Sequence, residues 1–249
     1  DGEAAICEDF VSAIEDGAGL DLAQFRRWYE QAGTPQVTAR LANDGGRARL
    51  TLSQHTPPTP GQPVKQPMPI PLRVALHDRS RNALGEEQLI VLDTAEASFD
   101  LGPEAGQPAL SLNRGFSAPV AIERDVDREE LAFLARHDDD PFARYEAMQE
   151  LVVGHLVAAS GTELGDSARQ EGEASIAEAM RAIVTDDGLD DLMRGELILL
   201  PGTAYLMEKV PLADPGAIFA AREQLKAALG HSLAAELGAL HARASDIPF

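Results

Sequence analysis

The residues whose side chains could most readily act in catalysis or metal binding are six histidines and an acidic run beside one of them. The histidines occupy positions 55, 77, 137, 155, 231 and 241. No two are four residues apart, so the sequence lacks HExxH, which places two zinc-binding imidazoles on one helical face. His137 opens the segment HDDDP, where an imidazole and the carboxylates of Asp138–Asp140 could bind a metal ion or support hydrolysis. Because these acids directly precede a predicted helix start, we expect them to cap backbone N–H groups instead.

Other patterns associated with catalysis are also missing from the sequence. Neither glycine-rich phosphate loop, GxxxxGK[ST] or GxGxxG, occurs, and there is no GxSxG nucleophile elbow. Cys7 has no evident base beside it. Arg26, Arg27 and Arg114 could bind carboxylates, but adjacent arginines on a helix surface usually form salt bridges. We therefore predict no catalytic, cofactor-binding or metal-binding residue in this chain.

Composition restricts the classes of partner. The 249 residues are 44% hydrophobic and carry a net charge of −20, with 25 acids and 11 bases in residues 121–249. Such a surface repels nucleic acid, and no apolar run is long enough to span a bilayer. The single cysteine, Cys7, fits a reducing compartment, so we expect a cytoplasmic protein. A start at Asp1 without an initiator methionine is expected for either a processed protein or a segment of a longer one.

Hydrophobic periodicity divides the chain into three zones. Residues 1–35 predict two short helices with more large apolar side chains than the pair can bury against each other. Residues 36–120 alternate with period two and contain the turn sequence NDGG, which predicts an antiparallel, fibronectin-like β-sandwich. Residues 121–249 predict an irregular α-helical array, with Asp127 and Asp140 as N-caps and one long last helix. The fold class is thus mixed β and α.

A proline-rich stretch, QHTPPTPGQPVKQPMPIPL (54–72), lies inside the sandwich zone. Its first half contains a PxxP pattern at Pro57, Pro60 and Pro63, which aromatic grooves recognise in polyproline ligands. Its second half places prolines at odd positions and apolar residues at even ones. Since side chains alternate along a strand, this pattern predicts a strand with one buried face and one edge lacking donors.

Several stretches together resemble the bacterial alanyl aminopeptidase (aminopeptidase N) branch of the zinc-dependent gluzincin aminopeptidases. They are DGEAAICEDFVSAIED (1–16), FRRWYEQAGTP (25–35), LSQHTPPTPGQPVKQPMPIPL (52–72), RGFSAPV (114–120), LAFLARHDDDPFARYEA (131–147) and, less closely, LILLPGTAYLMEKVPLADPGAIFAAREQL (197–225). The resemblance implies a four-domain parent enzyme that removes N-terminal amino acids from peptides, using zinc held by HExxH and a GxMEN loop for the substrate amine. Neither motif is in this chain, so the zinc belongs to the parent and no site residue carries over.

By the same resemblance, residues 1–35 would end the catalytic domain, 36–120 form the sandwich, and 121–249 begin the C-terminal helical domain. The chain would be a non-catalytic segment holding the helical domain over the active site, with the rest of the parent as its partner. Two alternatives remain open. One is a stand-alone binding module that uses the PxxP loop, and the other is a cryptic hydrolase that uses His137 and Asp138–Asp140.

Overall fold

The structure is a computed structural model that describes residues 4–80, 83–103, 108–161 and 164–245. The outermost residues of the two terminal zones, 1–3 and 246–249, lie outside this range. The chain forms two compact units. The first runs to Leu76 and includes Leu84–Asp125, and the second contains His77–Ala83 and the residues from Val126 onward.

The first unit contains two helices and a β-sandwich. The helices are α1 (Cys7–Ala18) and α2 (Arg27–Glu30). The strands of the described chain are β1 (Gln36–Asp44), β2 (Arg47–His55), β3 (Ile70–Asp78), β4 (Ala83–Leu84), β5 (Gln88–Leu92), β6 (Glu96–Pro103), β7 (Pro108–Leu112) and β8 (Ala121–Arg124). One sheet has the order β6-β2-β1-β8, and the other has the order β4-β3-β5 with β7 also paired to β3. This arrangement confirms the predicted sandwich.

The core lies between the two sheets because alternate residues of each strand face inward. It includes Leu50 and Leu52 from one sheet and Leu72 and Leu92 from the other, all fully buried. The β1–β2 hairpin turns at Gly45 and Gly46, whose φ angles of 62° and 85° are left-handed, as the NDGG signal predicts. Strand β8 pairs in parallel with β1, so the sheet continues beyond residue 120.

The second half of the proline stretch has the predicted buried face but is not an edge strand. Met68, Ile70 and Leu72 are at most 1% exposed. Strand β3 nevertheless has neighbours on both sides, since β5 and β4 flank it and β7 also pairs with it. The prolines remove backbone donors only before the strand and at its start, since β3 begins at Ile70. At the next odd position, the N–H of Arg73 donates to the hydroxyl of Ser117 (3.0 Å).

The second unit is helical, as predicted. Its helices in the described residues are α3 (Arg128–His137), α4 (Pro141–Ser160), α5 (Asp166–Val184), α6 (Asp191–Ile198), α7 (Thr203–Glu208), α8 (Pro215–Ser232) and α9 (Ala234–Ser245). Asp127 caps α3 through the N–H of Glu130 (2.6 Å). The sequence predicted a single long last helix, and this prediction is wrong, because the helix is interrupted at Leu233 between α8 and α9. Arg181 stabilises the break by donating to the carbonyl of Ser232 (3.0 Å).

Candidate functional site

The segment around α2 is fastened to the proline stretch by side chains that donate to backbone carbonyls. The indole of Trp28 donates to the carbonyl of Pro69 (2.9 Å). Gln31 pairs with Gln66 in both directions, donating to its carbonyl (2.9 Å) and accepting from its N–H (2.6 Å). A proline-rich segment cannot form a regular ladder with a neighbouring strand, because proline lacks an N–H donor, and its carbonyls then need donors from elsewhere. Side chains from the N-terminal zone take the place of a strand neighbour here.

Gln54, near the end of β2, also holds the proline stretch through hydrogen bonds to its backbone. Its amide donates to the carbonyls of Met68 (2.8 Å) and Thr94 (2.9 Å), and its oxygen accepts from the N–H of Met68 (2.8 Å). A half-buried glutamine bonded to two segments is a positioning residue for the sandwich. The sequence carried no signal for this role, since the residue sits at the end of an ordinary alternating strand.

The PxxP loop does not have the shape that a polyproline ligand requires. Thr59 and Gln62 bond each other's backbones in both directions, with N–H to oxygen distances of 3.2 and 2.8 Å. Gly61 between them has a φ of 80°. Polyproline II is an open left-handed helix without internal hydrogen bonds and with φ near −75°. The loop therefore contains a closed turn from Thr59 to Gln62, which includes Pro60 and directly precedes Pro63.

The outward face of the N-terminal zone is apolar and exposed. Only Val11 is buried among the residues of α1, all of which the structure describes. The exposed large side chains are Ile6 (65%), Phe10 (63%), Ile14 (40%), Leu20 (56%), Phe25 (37%) and Tyr29 (53%), which we call the N-terminal apolar face. A groove of about 440 Å³ runs along it, between α1 and the start of α2. Six such side chains on two short segments exceed the scattered apolar exposure of an ordinary surface.

Arginine ion pairs hold this zone together. The guanidinium of Arg26 bonds Glu8 (2.7 Å) and Glu15 (2.7 Å). The hydrogen bonds from Arg26 and from the N–H of Leu22 lower the pKa of Glu15 to about 2. Outside this zone, the guanidinium of Arg114 pairs with Glu87 (2.8 Å). The salt bridges predicted for the adjacent arginines are confirmed at Arg26, while Arg27 instead donates to the carbonyl of Pro67.

The HDDDP segment links α3 to α4, and its residues have separate roles. Asp140 caps α4 by accepting from the N–H of Ala143 (2.8 Å), as predicted. His137 is exposed at the end of α3, with its ring 4.9 Å from that of Phe133. Asp138 is buried, and the imidazole of His77 lies near its carboxylate, with Nε2 3.8 Å from Oδ1. The structure therefore brings the carboxylate of Asp138 close to a histidine that the sequence did not indicate.

The two units define the class of protein, an immunoglobulin-like sandwich followed by a helical repeat-like array. The family model for the domain of unknown function DUF3458, described as an Ig-like fold, matches residues 33–125. The model DUF3458_C, described as ARM repeats, matches residues 128–248. Both descriptions agree with the observed elements.

Along nearly its whole length the chain is homologous to aminopeptidase N of several bacteria. It is 34% identical to aminopeptidase N of Escherichia coli over 97% of its length and 36% identical to that of Haemophilus influenzae over 94%. It covers 29% and 28% of these relatives' own lengths. A crystal structure of Legionella pneumophila aminopeptidase A in complex with aspartic acid matches the whole chain with a TM-score of 0.82 and 25% identity, over 28% of that protein. The resemblance expected from the sequence is confirmed.

Proposed function

We propose that this chain is a non-catalytic structural segment of a zinc-dependent aminopeptidase that removes N-terminal amino acids from peptides. The observation that carries the proposal is homology along nearly the whole chain to relatives that are more than three times longer. The parts that bind zinc and peptide then belong to the remainder of the parent enzyme. No residue of this chain is assigned to either.

The proposed segment has a geometric role. Residues 1–35 would complete the catalytic domain, 36–120 form the sandwich, and 121–249 begin a helical domain that the sandwich holds over the active site. The contacts from Trp28 and Gln31 to the proline stretch support this role, because they tie the end of one proposed domain to the segment directly before β3 of the next. The N-terminal apolar face would then pack against the remainder of the catalytic domain. A cytoplasmic location remains part of the proposal. In the described residues, no helix combines the length and apolarity needed to cross a membrane.

Cys7 allows a direct test of this packing, since its thiol is exposed and lies in the groove of the N-terminal apolar face. We expect a maleimide reagent to alkylate Cys7 quickly in this chain and at least ~10-fold more slowly in the longer protein that contains it, because burial protects a thiol from reagents. Peptide mapping by mass spectrometry measures the rate at this cysteine alone. The Phe10→Asp variant of the longer protein serves as a positive control, because a buried charge should loosen the contact and restore fast alkylation. Equal rates in the two unsubstituted proteins would contradict the packing.

A further inference from the structure

Three potential ligand atoms meet where the end of β3 approaches the α3–α4 junction, and all of them lie in the second unit. One side-chain atom each of His77, Asp138 and Asp139 lies within 4.8 Å of the other two. His77 comes from a strand and the two acids from a loop that is distant in sequence. The fold therefore brings together a histidine and two carboxylates that no sequence motif connects.

His77 is the residue that indicates a ligand, because one of its two ring nitrogens is buried without a hydrogen-bond partner among the described residues. The residue is 3% exposed, and its ring packs edge-on against Phe133 with centroids 5.8 Å apart. Its Nε2 is buried and makes no hydrogen bond to any described residue. The separation of 3.8 Å from Asp138 Oδ1 is too long for a hydrogen bond. A buried imidazole nitrogen that forms no bond is costly, and a cation beside it would remove the cost.

The two carboxylates have suitable chemistry and complementary positions. Asp138 is 3% exposed and accepts from the N–H of Asp140 (3.0 Å). Such an anchored carboxylate still offers further lone pairs to a metal ion. Asp139 is exposed and leaves room for water on its side of the cluster. The neighbouring cation of Arg144 is directed away, because it binds the carbonyl of Ala135 (2.9 Å) and Asp186.

We propose that His77, Asp138 and Asp139 bind a first-row divalent metal ion, with water in the remaining coordination positions. One imidazole nitrogen and two carboxylate oxygens suit Mn²⁺ or Zn²⁺ better than Ca²⁺ or Mg²⁺, which prefer oxygen ligands alone. Such an ion would clamp the end of β3 to the α3–α4 junction. This proposal is independent of the aminopeptidase assignment, since that assignment gives none of these three residues a role in peptide hydrolysis.

Mn²⁺ is the most informative probe, because its free form is quantified by electron paramagnetic resonance and it has little affinity for the exposed thiol of Cys7. We expect the chelator-treated chain to bind one Mn²⁺, and Zn²⁺ to displace it at lower concentration. Asp139→Asn should weaken Mn²⁺ binding at least ~10-fold, since even indirect support of a ligand is worth that much. The matched control is Asp187→Asn, which changes an acid of the same unit whose side chain is 93% exposed, and should leave binding unchanged.

Asp139→Asn replaces an exposed carboxylate by an amide of nearly the same size. The variant should fold normally, so its result does not depend on the core. His77→Asn provides a second variant, which should abolish binding and leave the circular dichroism spectrum of the helices intact. Absence of bound Mn²⁺ at millimolar concentration would overturn the proposal. Binding that is equally strong in the unsubstituted chain and in Asp139→Asn would also overturn it, because the ion would then lie elsewhere on the acidic surface.

Discussion

Acidification should destabilise this protein through His155, a buried histidine that forms no ion pair with an acid among the described residues. The residue lies on α4, is 5% exposed, and its Nδ1 forms no hydrogen bond to a described residue. Burial is the main reason why the pKa of His155 falls to about 4, and the positive charges of Arg128 and Arg169 lower it further. The imidazole is therefore neutral in the folded state, and protonation favours unfolding.

The sign and size follow from the two pKa values. Between about pH 6.5 and pH 4 the unfolded chain binds a proton at His155 and the folded chain does not, so stability rises with pH in this window. The contribution of the neutral imidazole is complete above about pH 6.5 and is lost as the pH falls toward the folded pKa of about 4. At about 1.36 kcal/mol per unit of pKa difference, lowering the pH from about 7 to about 5 should cost roughly 2 kcal/mol.

Urea unfolding at a series of pH values measures this loss, and comparison with His155→Gln isolates it. The variant lacks a titrating group at this position, while every other ionisable residue is kept. We expect the stability of the unsubstituted chain to fall more steeply between about pH 7 and pH 5 than that of His155→Gln, by roughly 2 kcal/mol over the interval. Parallel pH profiles for the two proteins would refute the assignment of a depressed pKa to His155.

Two further substitutions test the packing and the hydrogen bonding. Gly172→Ala should destabilise the protein by about 1–3 kcal/mol, because its Cβ would lie 2.3 Å from Nδ1 of His155. At Gly154, nothing lies within 4 Å of an added Cβ, so Gly154→Ala should instead stabilise α4 by up to ~1 kcal/mol. Equal changes in the thermal unfolding of the two variants would contradict this contrast. Gln54→Ala should cost about 1–3 kcal/mol, since it leaves the N–H of Met68 without the acceptor that it has in the structure. A midpoint in urea unchanged by this substitution would show that Gln54 does not position the proline stretch.

Features that depend on local periodicity or on a single turn could be predicted from the sequence. The β1–β2 hairpin followed from NDGG, and the caps at Asp127 and Asp140 followed from acids placed immediately before apolar helical patterns. The buried face of the proline stretch followed from strict alternation. In each case the residues that decide the structure are neighbours in the chain.

Features that depend on long-range contact could not be predicted. The odd-position prolines suggested an edge strand, but sheet order is a property of the whole sandwich, and β3 has neighbours on both sides. The approach of His77 to Asp138 is likewise a result of topology, so the sequence directed attention to His137 instead. At the break between α8 and α9, the carbonyl of Ser232 accepts from Arg181, which belongs to a different helix. Regular leucine spacing across the break gave no sign of it.

The central claim is that this chain lacks an active site of its own and serves as structure for an aminopeptidase. The measurement that tests it most directly is hydrolysis of an aminoacyl chromogenic substrate by the purified chain, with and without added zinc. We predict no turnover above that of buffer in either condition. Hydrolytic activity that co-elutes with the chain and survives repurification would contradict the claim.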